Sequence, residues 1–134
     1  MNLGGCSSHF AEAVWPSLNQ GVRDRLDAYA ADVLRYNRAQ NLVSRKDPQR
    51  RVAALIEECV VAGLAVQRRQ LGGFWADVGS GGGFPGLVFA VLFPDQPIVL
   101  IERRQGRCDF LRREVRRLEL ASVRVFEGDA ADWE

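Results

Sequence analysis

The stretch ADVGSGGGFPGL, Ala76–Leu87, places five glycines in twelve residues between two apolar runs. Ahead of it FWADV (Phe74–Val78) reads as a buried strand. Behind it LVFAVLF (Leu87–Phe93) is apolar all round, so periodicity alone leaves strand and helix open. Position decides for helix. The run follows a strand and a glycine turn, ends at Pro94-Asp95, and precedes PIVLIE (Pro97–Glu102), a clear next strand, as the crossover of a βαβ unit does.

Working outward, Arg107–Leu118 reads as a further helix with Phe110, Leu111, Val115 and Leu118 inward, and Ser122–Ala130 as a third strand. Upstream, Arg23–Gln40 carries Val22, Leu26, Tyr29, Val33 and Tyr36 at helical spacing. Asp47-Pro48 is a helix start, because the carboxylate caps free N–H groups and the proline sits where no N–H is needed. Val52, Leu55, Ile56, Cys59, Val60 and Gly63 give that helix one apolar face. The expected order is two helices and then β-α-β-α-β. Residues 1–70 form the helical region, 71–134 the ligand-binding part, and Arg69–Gly73 is the only linker candidate.

Composition narrows the function. With 134 residues, 47% hydrophobic and 26% charged, the chain has the make-up of one globular domain, and a net charge of +1 gives no global pull toward nucleic acid or membrane. Seventeen of the 18 basic residues are arginine, Lys46 being the exception. Three cysteines without CxxC spacing and a lone His9 fit neither a disulfide framework nor a zinc site, so no metal and a cytoplasmic location are expected. No apolar run approaches the roughly 20 residues of a membrane span.

Two ligand classes fit the glycine turn. As Gly81-x-Gly83-x-x-Gly86 it matches the dinucleotide fingerprint; from Asp77 it is D-V-G-x-G-x-G, the first motif of S-adenosylmethionine (SAM) methyltransferases. The dinucleotide register puts its first glycine four residues past Asp77 and Pro85 at the helix start. In the SAM register Gly79 leaves the strand, Gly81 and Gly83 offer bare backbone to the methionyl part, and Asp77 stands near its amino group. Glu102, ending the next strand, suits the two ribose hydroxyls of either ligand. A glycine-rich turn that binds no ligand and NAD binding remain the competing readings at this point.

Three segments together resemble one family. YNRAQNLVSRKDP (Tyr36–Pro48) is similar to W-N-x-x-x-N-L-T-x-x-x-D-P, DVGSGGGFPGL to D-V-G-[ST]-G-x-G-[LF]-P-G, and GRCDFLRR (Gly106–Arg113) to K-R-x-x-F-L-R, segments of the bacterial small-subunit rRNA guanine-N7 methyltransferases (RsmG, or glucose-inhibited division protein B). The resemblance runs from about Arg25 to the last residue. It implies an α/β fold: N-terminal helices followed by the first half of a Rossmann-like, seven-stranded SAM-dependent methyltransferase sheet. It implies SAM as cofactor, 16S rRNA or the small ribosomal subunit as partner, and no membrane. By resemblance Gly79 and Phe84 contact SAM, and Ala130 and Ala131 flank its adenine; with Asp77, Ser80, Gly81, Gly83, Glu102 and Asp129 they make up the expected cofactor site, with no catalytic side chain assigned.

Three departures stand out. The family's H-I-L-D-S run becomes LIEEC, Leu55–Cys59, keeping its acid only as Glu58; R-x-E-E after the third strand becomes DAAD, with Ala131 at an acidic position; Gly106 replaces a frequent lysine. For RNA, Arg103–Arg117 holds seven arginines against Asp109 and Glu114, and Arg104, Arg107, Arg112, Arg113 and Arg116 are the phosphate-binding candidates. Arg45, Lys46, Arg50 and Arg51 form a second cluster, while Tyr36 and Trp15 read as core. Three strands of seven leave the first strand's edge unpaired, so the chain is expected to be incomplete or to pair with a partner. The alternative is a noncatalytic homologue that acts as an assembly or regulatory module and dimerises through that edge.

Overall fold

The computed structural model describes residues 1–133. A π-helical turn, Phe10–Val14, runs into the short α1 (Trp15–Ser17), followed by α2 (Gln20–Gln40) and α3 (Pro48–Gln67). Helix α2 starts three residues before the expected Arg23 because Asn19 caps it, its Oδ1 accepting from the Val22 N–H at 2.9 Å. Asp47 caps α3 as anticipated, with Pro48 in the first turn. Val52, Ile56, Cys59, Val60 and Gly63 are buried on that helix, whereas Leu55 is only half-buried.

The remainder alternates as the sequence pattern requires: β1 (Trp75–Val78), α4 (Gly86–Leu92), β2 (Ile98–Glu102), α5 (Gln105–Arg117) and β3 (Val123–Glu127). The three strands form one parallel sheet in the order β1-β2-β3. This is an α/β fold with helices leading into a partial Rossmann-like sheet. The third strand stops at Glu127, short of the expected Ala130. Asp129 turns the chain there by accepting from the Ala131 N–H at 3.0 Å, and Ala130–Asp132 becomes a 3-10 turn.

Register assigns the faces. Trp75 pairs with Ile98, Asp77 with Leu100, and Leu100 with Val125. These residues face the helices, and Ile98, Leu100 and Val123 join Phe10, Leu26, Tyr29, Val33, Val52, Ile56, Leu87, Val88 and Leu111 in a single buried core. The N-terminal helices and the sheet therefore share one apolar interior. Ala76, Val78, Val99, Ile101, Arg124 and Phe126 lie on the opposite face.

That face corrects the reading of β1 as a buried strand. Its residues alternate half-buried and exposed, with Val78 64% exposed and Phe74, just outside the strand, 55%. The cause is position: β1 is an edge strand whose second side has no neighbour among the described residues, whereas β2, in the middle, is buried at all five residues. No helix among the described residues is long and apolar enough to cross a membrane.

Candidate functional site

The glycine turn divides into two halves with different work. In the first, Gly79 adopts φ +76° and Gly81 φ +55°, a region that glycine occupies without penalty. The Gly79 and Ser80 N–H groups both donate to the Ile101 carbonyl, at 2.8 and 3.1 Å. A Cβ on Gly79 would meet no atom within 4 Å, so this backbone lies open.

The second half is packed. A Cβ on Gly83 (φ +95°) would fall 2.5 Å from Leu87 Cδ1 and 2.9 Å from the Tyr29 hydroxyl, and one on Gly82 would lie 3.3 Å from Leu42. Tyr29, fully buried, donates its hydroxyl proton to the Gly82 carbonyl. Burial, then the nearby Cys59, Glu114 and Asp77, push the phenol well above its ordinary range, so it stays a donor. Phe84 stacks on Tyr29 with ring centroids 5.3 Å apart. Gly83 and Phe84, both expected at the ligand, also seat the turn on α2. Tyr29→Phe strands the Gly82 carbonyl and should cost about 1 kcal/mol in urea unfolding.

Asp77 and Glu102 also part company. Asp77 Oδ2 accepts from the Gly86 N–H at 3.0 Å, at the start of α4, and Ser80, 2% exposed, donates its hydroxyl to the Asp77 carbonyl at 2.8 Å. Burial raises the Asp77 carboxyl, partly opposed by the Gly86 N–H and Ser80. Both residues hold the turn together, and neither lines the hollow in front of it.

Glu102 does. A cavity of about 270 Å³ is walled by Val78, Gly79, Ile101, Glu102, Arg103, Arg104, Arg107 and Gly128–Ala130. Glu102 Oε1 accepts from the Arg104 N–H at 2.9 Å and Oε2 from the Gly81 N–H at 3.0 Å. Burial works against its charge, but the N–H groups of Arg104, Gly81 and Arg103, with the Arg107 guanidinium, outweigh it and hold the carboxyl below its ordinary range. A carboxylate has about four acceptor positions, so each oxygen keeps one for a hydroxyl partner. Asp129 and Ala130 form the far wall; Ala131 stands behind them, tied to Asp129 Oδ1.

Sequence comparison matches residues 23–134 to a family described as rRNA small subunit methyltransferase G. The chain belongs to this family. Among curated members, it is 35% identical over 87% of its length to the ribosomal RNA small subunit methyltransferase G of Dichelobacter nodosus and 39% identical over 81% to that of Halorhodospira halophila. The number 3 protein of that name from Bdellovibrio bacteriovorus is 35% identical over 83% of the chain. These alignments cover 54%, 50% and 51% of the respective relatives, so the chain spans about half the length of the members it matches.

The methyltransferase G motifs gain physical roles in this chain. Asn37, buried, accepts from the Val43 N–H at 2.9 Å, and Asn41 ends α2 in the left-handed conformation (φ 49°). The Asn-x-x-x-Asn-Leu segment is thus a built corner that presses Leu42 under Gly82. The spacing of the two asparagines is the sign of that role in the sequence. Of the departures from the pattern, Glu58 is exposed and lies 3.8 Å from Arg51, Leu55 is half-buried, and Gly106 faces the Gln40 side chain.

The arginines of α5 are largely engaged within the molecule. Arg112 binds Glu127 at 3.0 Å and reaches Asp109 at 3.6 Å, Arg113 lies 4.6 Å from the centre of the Tyr36 ring, and Arg117 pairs with the buried Asp32. Arg104 and Arg107 stand at the cavity, and Arg107 also donates to the Asn41 carbonyl at 3.3 Å. Arg116 is exposed.

Proposed function

We propose that this chain carries the SAM-binding half of a methyltransferase that modifies guanine N7 in small-subunit ribosomal RNA, acting in the cytoplasm. The observation that carries the reading is Glu102: an anionic carboxylate, fixed by two backbone N–H groups, standing beside the open backbone of Gly79 with acceptor positions to spare. These residues fit a ribose-bearing sulfonium cofactor. Glu102 would take the ribose hydroxyls, Gly79 the methionyl backbone, and Asp129 with Ala130 the adenine side.

Bound SAM supplies an electrophilic methyl group. The acceptor, N7 of guanine, already has a free lone pair and no proton to lose, so no general base is required of the chain. Its residues act by binding and orientation, which suffices for several kcal/mol of barrier lowering. This explains why the hollow needs no histidine or cysteine. The unpaired side of β1 adds a second, testable proposal, that two copies join there; sedimentation equilibrium should then show a dimer that β1-edge proline substitutions dissociate.

Titration calorimetry with S-adenosylhomocysteine, the stable product left when SAM gives up its methyl group, tests the main reading. Saturable binding is expected, with no comparable binding of NAD. Glu102→Ala removes two charge-assisted hydrogen bonds and should weaken the affinity at least tenfold. Preference for NAD, or an unaltered Glu102→Ala titration, overturns it.

A further inference from the structure

We propose that the corner between α2 and α3, rather than the arginine-rich helix α5, grips the phosphate backbone of the RNA substrate. The identity of the polyanion rests on the function proposed above; the location rests on how the two basic clusters are spent. On α5, Arg112, Arg113 and Arg117 are taken up by Glu127, Tyr36 and Asp32. At the corner, Arg38, Arg45, Lys46 and Arg50 are all exposed, and among the described residues none has a carboxylate within ion-pair distance. The one acid there, Asp47, is turned to its own backbone, its Oδ1 accepting from the Arg50 N–H at 3.4 Å.

These cations sit on a braced platform. Val43 N–H is bound to Asn37 Oδ1, Arg45 donates to the Arg38 carbonyl at 3.2 Å, and Arg107 donates to the Asn41 carbonyl. Little ordering is therefore left to do on binding, which lowers its entropic cost. The corner also encloses a cavity of about 370 Å³, with Leu34 and Pro48 as apolar surface, Asn37 and Gln49 as amides, and Arg38 and Arg45 as cations. That combination suits a nucleotide: cations for the phosphate, amides for hydroxyl or base edges, and apolar surface for the flat of a base.

Continuity with the glycine turn gives the site its purpose. Leu42 lies under Gly82, and Arg107 lines the cofactor hollow while holding Asn41. An RNA strand lying along the corner is thereby led toward the hollow proposed to hold the methyl donor.

Fluorescence anisotropy with a short fluorescein-labelled RNA hairpin, titrated at several salt concentrations, tests the assignment. Arg38→Ala/Lys46→Ala/Arg50→Ala is expected to weaken binding at least tenfold at low salt and to flatten the slope of log affinity against log salt by about 2. Arg113→Ala/Arg116→Ala on α5 should change both far less. The thermal unfolding and S-adenosylhomocysteine affinity of the triple variant should match wild type, since these side chains are exposed. No RNA binding by wild type, wild-type behaviour of the triple variant, or an equal loss in the α5 variant overturns the proposal. RNA binding lost in the triple variant while no S-adenosylhomocysteine binds at all would leave this surface standing and remove the cofactor reading instead.

Discussion

Gly83→Ala is expected to lower the stability of this chain by about 3–4 kcal/mol, whereas Gly79→Ala, four residues away in the same loop, costs about 1 kcal/mol. Both glycines occupy the left-handed region, at φ +95° and +76°, so both variants carry the backbone penalty of a side chain there. They differ in what the new Cβ meets. At Gly83 it collides with Leu87 and the Tyr29 hydroxyl, two fully buried side chains that have nowhere to move. At Gly79 it enters open space. Thermal unfolding should therefore drop by roughly 10–20 °C for Gly83→Ala and by only a few degrees for Gly79→Ala.

Ligand binding should sort them the other way. Gly79→Ala keeps the fold but puts a methyl group on the backbone that faces the hollow, so its S-adenosylhomocysteine titration should weaken. Comparable melting temperatures for the two variants would show that the division of the turn into an open half and a packed half is wrong.

The same division shows what the sequence could and could not reveal. The position of the turn, the parallel strands and the crossover helices were legible because strand, glycine and helix periods alternate locally. The roles of individual loop residues were not. Which side of Gly83 is covered depends on Tyr29, 54 residues upstream, and which side of Gly82 on Leu42. Asp77 and Glu102 likewise look equivalent, each an acid near the end of a strand. Register separates them: Asp77 pairs with Leu100, while Glu102 is two residues further along and beyond the last β1 pair, Val78 with Ile101. One carboxylate is therefore tucked under the start of α4 and the other stands at the rim.

A charge count is equally silent about the partners of α5. Seven arginines in a row of fifteen residues suggest a phosphate stripe, yet the partners that occupy Arg113 and Arg117, namely Tyr36 and Asp32, belong to α2. Periodicity within one helix carries no information about the helix laid against it.

Glu114, one of the two acids in that segment, supplies the second large effect. It is completely buried, and neither carboxylate oxygen has a hydrogen-bond partner among the described residues. Burial pushes its carboxyl up from 4.5 to about 7, only partly opposed by the Arg113 guanidinium. The sign follows from proton linkage. Between about pH 4.5 and 7 the folded chain holds a proton that the unfolded chain has released, so stability falls as pH rises through this window and levels off above it. The loss is on the order of 3 kcal/mol. Asp77, also raised, adds a slope of the same sign, and Glu102, lowered, an opposite one confined to more acidic pH. Comparison with Glu114→Gln isolates the contribution: urea unfolding should find the variant close to wild type at pH 5 and more stable than it at pH 8. Parallel stability curves for the two proteins would mean that the carboxyl finds water or a cation when it ionises, and that the contact between α2 and α5 is looser than the burial of Glu114 implies.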